Sequence, residues 1–168
     1  MSYVDDVDRI MAAPKTIVGR PAWAPSAYDG QVRWLAPLAV AGAVSPMDLV
    51  VDAYPRSDGL KFCILLKVSS AVMRIDYREF EKHRNHPVKN VALPTEVIIG
   101  WVHGPHVHLW SHNRVLVRFQ PPKTLEFAIS LPANVRGFDN TFRWFCSEAN
   151  IVLGPFEIPQ LPTRDLLL

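Results

Sequence analysis

Glycine is scarce in this chain, at only 8 of 168 residues. Loops that cradle nucleotide phosphates use several glycines at fixed spacing so that the backbone can approach the phosphates, and no such motif occurs. Too few helical segments alternate with strand segments for a Rossmann-type fold. These absences argue against a nucleotide-binding α/β enzyme.

Cysteine is also rare. The two cysteines, Cys63 and Cys146, lie in apolar surroundings and far apart in sequence. Neither belongs to a Cys-x-x-Cys pair or to a Cys/His spacing typical of zinc sites. We therefore expect two buried free thiols in a reducing compartment rather than a disulfide framework.

No segment predicts a membrane span. The longest apolar run, residues 35–44, is about half the length needed to cross a bilayer, and it contains Pro37 and Gly42. The N-terminal segment carries acidic residues where a secretory signal would have basic ones. We expect a cytoplasmic protein without membrane contact.

The net charge of +2 conceals an uneven distribution. Residues 61–143 contain twelve Lys or Arg and six Asp or Glu, whereas the segments on either side are acidic. All six histidines fall within residues 83–112. This concentration favours an anionic partner, although a solvated basic face would have the same composition.

Helical periodicity occurs near both ends of the chain. In residues 1–13, Ser2 and Asp5 have the spacing of a capping box and precede an apolar stripe. Phe142, Phe145, Cys146 and Ala149 recur at helical spacing after Asp139 or Asn140, which are candidate caps. We predict a short N-terminal helix and one amphipathic C-terminal helix that covers a sheet.

Strand patterns fill most of the remaining sequence. The predicted strands are residues 47–54, 60–68, 71–77, 96–102, 106–110, 114–119 and 124–131. Asp58-Gly59 predicts a hairpin between the first two, and the short Ser-His-Asn connection predicts another between 106–110 and 114–119. We therefore predict one α+β domain over residues 1–168, with a mainly antiparallel, interrupted sheet and a docked proline-rich tail at 154–168.

The segment HGPHVHLW, residues 103–110, contains three of the histidines. On a strand, His106 and His108 lie on one face about 7 Å apart, where both can bind one metal ion through ring nitrogens. His103 precedes a Gly-Pro bend that could bring it to the same ion. Candidates for a completing carboxylate are Asp76, Glu79 and Glu96.

The longer segment GWVHGPHVH also resembles the opening of a cupin motif, which has a glycine, five residues and then His-x-His. In cupins the two histidines bind a metal ion inside a small β-barrel. The glutamate that the motif expects shortly afterwards is replaced here by His112 or Asn113. A cupin-like metal-binding protein is therefore one alternative.

A second interpretation needs no cofactor. The segment RIDYREFEKHRNH brings His83 and several cations close in sequence to Asp76, upstream of His106 and His108. If these residues meet across the sheet, they form an acid–base pair in basic surroundings, suited to cleavage of RNA by its own 2′-hydroxyl. Arg74 and Asp76, which are same-face neighbours on a strand, could instead simply pair with each other.

Aromatic residues suggest a third interpretation. Trp101, Trp110 and Trp144, together with arginines and histidines, are typical of contact surfaces for a protein or for single-stranded nucleic acid. In that case the protein is a non-enzymatic binding module, such as an inhibitor or antitoxin-like partner, and its histidines are structural.

Four short motifs between residues 70 and 152 resemble a set of uncharacterised small prokaryotic proteins found around mobile elements and toxin–antitoxin-like modules. The motifs are Arg74-x-Asp76, His83-x-Asn85, Pro105-His106-x-His108 and the helix end Asn150-Ile151. The resemblance implies that the histidines belong to a recurring pattern, and it favours a defence or toxin role over housekeeping metabolism.

These patterns lead to one principal hypothesis, a protein that acts on or binds RNA through a histidine and arginine site without a cofactor. In it, His106 and His108 are the central catalytic pair and His83 is a further proton carrier. Asp76 orients one imidazole, and two cations, Arg74 and Arg84, hold the phosphate. A divalent metal ion on His103, His106 and His108 is the alternative.

Overall fold

The structure is a computed structural model that describes residues 2–117, 125–155 and 157–163. Its architecture is α+β, with a mostly antiparallel sheet and a helix near each end of the chain. The elements in chain order are α1 (Tyr3–Ala12), β1 (Lys15–Ile17), β2 (Trp23–Pro25), β3 (Val32–Val40), β4 (Ala43–Ala53), β5 (Phe62–Val68), β6 (Ser70–Tyr77), β7 (Lys82–Asn85), β8 (Gly100–His103), β9 (His106–His108), α2 (Trp110–Asn113), a 3-10 turn (Arg114–Leu116), β10 (Ile129–Ser130), α3 (Gly137–Glu148) and β11 (Ile151–Val152).

Within these residues, the main sheet has nine strands. Eight of them follow the order β10, β9, β6, β5, β4, β3, β1, β11, and β2 pairs with β3. Its pairings are antiparallel except for β1 with β11. A separate two-stranded hairpin consists of β7 and β8.

One face of the main sheet forms the hydrophobic core. Five residues of one cross-strand row point into it, and none is more than 3% exposed: Trp34, Val51, Ile64, Ile75 and Val107. The amphipathic helix α3 covers this face, with Phe142 packed edge-to-face on Trp34. The apolar stripe of the last helix therefore buries the sheet, as its spacing predicts.

The opposite face carries a polar row, which consists of the immediate sequence neighbours of the apolar row on each strand. Strand pairing aligns Arg33, Asp52, Cys63, Asp76 and His106 across β3, β4, β5, β6 and β9. Successive side chains of a strand point to opposite faces, so the same strands that build the core present this row on the other side. The candidate site lies on this polar face.

Two local predictions are confirmed. In α1, the Ser2 side chain accepts from the backbone of Asp5, and the Asp5 carboxylate accepts from the backbone of Ser2. The Asp58-Gly59 turn joins β4 and β5. These strands pair antiparallel, from Ala53 opposite Phe62 to Met47 opposite Val68. Both features depend on short-range geometry, which explains why the sequence pattern was sufficient.

The predicted hairpin between residues 106–110 and 114–119 is wrong. Trp110–Asn113 form the short helix α2, which continues into a 3-10 turn, and β9 pairs with β6 and β10 instead. The buried Asn113 explains the difference, because its amide donates to the carbonyls of Leu109 and Phe127 and closes the chain into a helical turn. Residues 118 and 119 lie outside the described residues.

Two other predicted strands are shorter than expected. Residues 96–102 contribute only from Gly100 onward, and of residues 124–131 only Ile129 and Ser130 pair in the sheet. Residue 124 lies outside the described part of the chain. Between 125 and 128, side-chain amides replace a neighbouring strand: Asn113 bonds both backbone groups of Phe127, and Asn85 bonds both of Ala128.

The start of α3 also differs from the prediction that Asp139 or Asn140 caps it. The helix begins earlier, at Gly137, whose φ of +72° is a conformation that glycine adopts without strain. The Gly137 backbone N–H donates to the hydroxyl of Tyr77 on β6, 3.0 Å away. A tertiary hydrogen bond thus takes the role that the prediction gave to a local cap.

The chain after β11 packs along the core as far as it is described. Ile158 and Leu161 contact the core, and the Trp23 indole donates to the Gln160 carbonyl at 2.8 Å. The three terminal leucines of the predicted tail, 154–168, lie outside the described residues. No helix in the described ranges is both long and apolar enough to cross a membrane.

Lys15 is fully buried at the start of β1. Its ammonium donates to the carbonyl oxygens of Met11, Ala13 and Ala149, at the C-terminal ends of α1 and α3. Burial lowers the pKa of Lys15 to about 8. Lys15 therefore connects the C-terminal ends of α1 and α3 to β1, and its ammonium group is buried in doing so.

Replacing Lys15 with methionine should lower the free energy of unfolding by about 2 kcal/mol. The variant keeps the side-chain length but leaves three carbonyls without their donor, and removal of the buried charge offsets part of that loss. Urea denaturation measures the change. Lys89→Met, in an exposed loop, is the control and should shift stability by less than about 0.5 kcal/mol. A Lys15→Met variant as stable as the wild type would contradict this role.

Candidate functional site

A cavity of about 710 Å³ opens on the polar face of the main sheet. Strands β3, β4, β5, β6 and β9 contribute its floor, and Lys82 and His83 of β7 contribute one wall. Five cationic side chains line it: Arg33, Lys61, Arg74, Arg78 and Lys82. Three acidic side chains line it as well: Asp52, Asp76 and Glu81. The excess of positive charge suits an anionic ligand.

Three histidines meet at one end of this cavity. The ring centres of His106 and His108 lie 5.3 Å apart, and that of His83 lies 5.6 and 4.7 Å from them. One ring nitrogen of each histidine lies within 4.8 Å of the other two. His106 and His108 are only 2% and 4% exposed, whereas His83 is half-buried. The side-by-side arrangement of the first two follows directly from strand alternation.

Backbone carbonyls fix the orientation of two of the rings. His83 Nε2 lies 2.8 Å from the Glu126 carbonyl oxygen, and His106 Nδ1 lies 2.9 Å from that of Gly104. A carbonyl oxygen can only accept, so these two nitrogens carry the hydrogens. In their neutral forms, Nδ1 of His83 and Nε2 of His106 therefore present lone pairs. Metal-binding histidines in proteins typically donate their other ring N–H in this way.

Asp76 lies beside the histidine pair, in direct register with His106. Its Oδ2 is 3.6 Å from Nε2 of His106 and 3.6 Å from Nε2 of His108. Its other oxygen, Oδ1, accepts two hydrogen bonds from Arg74, at 3.0 and 2.6 Å. Burial alone would raise the pKa of Asp76, but hydrogen bonding to His108 and the Arg74 charge outweigh it and hold that pKa well below its usual value. Asp76 is thus a carboxylate aimed at two imidazoles.

His108 is the least satisfied member of the cluster. Its Nδ1 is buried and has no hydrogen-bond partner among the described residues. Burial, together with the neighbouring His83 and His106, lowers its pKa in spite of the opposing Asp76 charge. A neutral imidazole is the form that binds metal ions.

These features fit a divalent transition-metal ion. Three imidazole nitrogens are the protein ligands of one common type of catalytic zinc site. In the neutral form of His106, the Nε2 lone pair faces the Asp76 carboxylate, and a cation between them would turn this repulsion into attraction. Cys63 lies next to Asp76 in the polar row, but burial and the Asp76 charge raise the pKa of its thiol well above normal. We therefore assign no thiolate to the site.

Strand β7 is anchored by Asn85, which is 1% exposed. Its amide donates to the carbonyls of Ile98 and Ala128, and its Oδ1 accepts from the Ala128 N–H, all at 2.8 Å. His83 is two residues away on the same side of β7 and bonds the adjacent Glu126 carbonyl. Asn85 therefore positions His83 against the main sheet.

The structure does not bring every predicted site residue to the cavity. His103 is exposed at the end of β8 and belongs to no candidate metal cluster among the described residues, and His83 takes the place predicted for it. Arg84 points away from His83, because neighbouring residues of a strand alternate, and it lies over Trp101 instead. Neither Glu79 nor Glu96 lines the cavity, and Glu96 lies beside His112.

The Arg74–Asp76 pairing anticipated from their spacing is present, and Arg74 also lines the cavity with its side chain 46% exposed. The three tryptophans of the contact-surface hypothesis do not share one surface. Trp110 is buried and bonds Asp8, Trp144 packs against the core, and Trp101 is 54% exposed. The closed barrel of a cupin is not seen either, since β10 and β11 end the described main sheet without pairing to each other.

Sequence reasoning missed the far half of the cavity. Arg33 and Asp52 form a two-bond ion pair there, at 2.7 and 2.9 Å. A signal was present, because Arg33 is the single charged residue of β3 and Asp52 follows an apolar run in β4. It also missed the positioning role of Asn85, whose residue type is more typical of turns.

No protein-family model, no curated protein and no solved structure matches the chain. The site is therefore defined by its own geometry.

Proposed function

We propose that this protein binds a divalent transition-metal ion at His83, His106 and His108 and uses it to cleave RNA bound in the adjacent basic cavity. One observation carries the proposal: a ring nitrogen of each histidine lies within 4.8 Å of the other two, beside the Asp76 carboxylate. Burial of His106 and His108 favours a shared metal ion over the metal-free acid–base pair, because that pair must exchange protons with substrate.

RNA is the proposed substrate because the cavity is cationic and its volume is within the usual range for small-molecule sites. Arg78 and Lys82 supply positive charge at the rim, and Arg74 has N–H donors beyond the two used on Asp76. Cations in these positions can hold a phosphodiester next to the histidines.

The proposed reaction is transesterification. The 2′-oxygen of RNA forms a bond to the adjacent phosphorus, and the bond from phosphorus to the 5′-oxygen breaks. The 2′-hydroxyl loses its proton to a base, and the leaving 5′-oxygen takes a proton from solvent. A zinc ion held by His83, His106 and His108 would supply that base, because it would bring the pKa of a water near 7. Arg74 would stabilise the charge on the non-bridging oxygens.

We place this activity in the mobile-element or defence class. The support is that three of the four motifs of the resembling prokaryotic set meet in space. Arg74 and Asp76 from the first, His83 and Asn85 from the second, and the His106–His108 pair from the third form or position the histidine cluster.

RNA cleavage by the purified protein tests the proposal. After dialysis against chelator, the protein should leave a 20-nucleotide RNA intact, and added Zn²⁺ or Mn²⁺ should restore cleavage to a 2′,3′-cyclic phosphate end. An RNA with a single 2′-deoxy position at the cleavage site is the control and should resist cutting there. Full cleavage in chelator would overturn the metal assignment in favour of acid–base catalysis, and no cleavage with any metal would overturn the activity.

A further inference from the structure

A second surface lies on the outward side of the β7–β8 hairpin. Strand pairing aligns Arg84 with Trp101 and Lys82 with His103, so these four side chains share one side. All four are exposed, and the residues between them, His83 and Val102, face inward. We refer to Lys82, Arg84, Trp101 and His103 as the outer strip.

The outer strip combines an exposed aromatic ring with positive charge. Lys82 Nζ lies 5.3 Å and the Arg84 guanidinium carbon 5.5 Å from the centre of the Trp101 ring. Neither β7 nor β8 contains Asp or Glu. A flat, partly uncovered ring with adjacent cations suits a polyanion that also carries flat groups able to stack.

We propose that the outer strip binds single-stranded RNA, with a base stacked on Trp101 and the flanking phosphates on Lys82 and Arg84. This inference rests on the proposed function, because it specifies the form of that substrate. In a duplex the base faces are covered by neighbouring base pairs, so stacking on Trp101 requires an unpaired base.

Lys82 links the outer strip to the histidine site. It contacts the Trp101 ring and also lines the cavity, immediately before His83 in sequence. A single strand that crosses β7 would therefore place one nucleotide on Trp101 and the following backbone in the cavity. One RNA strand could therefore contact both the outer strip and the histidine site, which would not hold for an isolated exposed tryptophan.

Binding of a fluorescein-labelled 12-nucleotide 2′-O-methyl RNA, followed by fluorescence anisotropy in chelator, tests the outer strip. Trp101→Ala should weaken binding about 10-fold, because one stacked base is lost, and Trp101→Phe should retain most of the affinity. Lys82→Ala should reduce the slope of log affinity against log salt by about 1. Arg143→Ala on α3 removes the same charge from the opposite side of the main sheet and should leave the Kd within about twofold.

Three results would overturn this inference: an unchanged Kd for Trp101→Ala, equal affinity for the matching duplex, or no binding of single-stranded RNA by the wild type. If the wild type binds no single-stranded RNA, the partner of the outer strip is instead a protein. The oligonucleotide cannot be cleaved and no metal is free, so loss of the proposed catalysis would not affect this result. Conversely, the protein could cleave RNA in a metal-dependent way while Trp101→Ala binds RNA with the wild-type Kd. That result would contradict RNA binding by the outer strip but not the proposed function.

Discussion

The His106→Ala/His108→Ala double variant is expected to lose RNA cleavage by about 10³-fold or more, and to lose zinc binding with it. Both imidazoles come from β9 and sit with Asp76 at the end of the cavity, so their removal leaves His83 as the only nitrogen ligand of the cluster. Isothermal titration with Zn²⁺ and a cleavage assay measure the two losses on the same preparation.

A matched control separates loss of the site from loss of a buried ring. His112 is also buried, at 7% exposure, and within the described part of the chain its Nδ1 likewise lacks a hydrogen-bond partner, but it lies outside the histidine cluster. His112→Ala should therefore lower the free energy of unfolding by about half as much as the double variant, which removes two buried rings. Its zinc affinity and cleavage rate should stay within about twofold of wild type. If the double variant retains zinc binding and activity with its fold intact, the site assignment is wrong.

Asn85→Ala is expected to lower the free energy of unfolding by about 4 kcal/mol, because it leaves the buried carbonyl and N–H of Ala128 without a partner and removes the donor to the Ile98 carbonyl. For a chain of this size, that corresponds to a fall in Tm of about 8–16 °C. The same substitution should weaken zinc binding about 10-fold or more, because Asn85 positions the strand that carries His83.

Thermal unfolding followed by circular dichroism measures the stability change, and zinc titration below the transition measures the effect on the site. Asn140→Ala, on the exposed side of α3, is the control and should change stability by less than about 0.5 kcal/mol. An Asn85→Ala protein with normal Tm would show that the backbone of residues 125–128 finds other partners.

Period-two alternation was enough to predict half of the candidate site. It places Arg74 and Asp76 on one face of a strand, and His106 and His108 on one face of another, and the structure shows both pairs so arranged. It could not predict that these two strands pair, because about 30 residues separate them and the pairing depends on tertiary packing. The register that sets Asp76 opposite His106 is therefore a property of the fold.

The remaining features depend on contacts that leave no local pattern. His83 reaches the cluster from a separate hairpin, and it is held there by a backbone carbonyl and by Asn85. Polar residues such as Asn85 and Asn113 predict turns, yet here they pair with a backbone segment as a neighbouring strand would. Strands β1 and β2 were not predicted, because three residues are too few to show a period.

Strand β3 was missed for a different reason. Apart from Arg33, its sequence is apolar on both faces, and Pro37 interrupts it. Residues 35–44 therefore show no strand period, and their sequence bears only on whether they could span a membrane. The strand nonetheless pairs with β4 through a turn at Ala41 and Gly42, both with positive φ, and its register shifts next to Pro37. Proline was tolerated at this irregularity in the pairing, as is usual in sheets.

X-ray absorption at the zinc edge of the zinc-loaded protein tests most directly whether one metal ion joins His83, His106 and His108. We expect one zinc per chain, with three imidazole nitrogens at about 2.0–2.1 Å. His83→Ala should reduce that number to two. A zinc content far below one per chain, or a first shell without imidazole, would contradict the account.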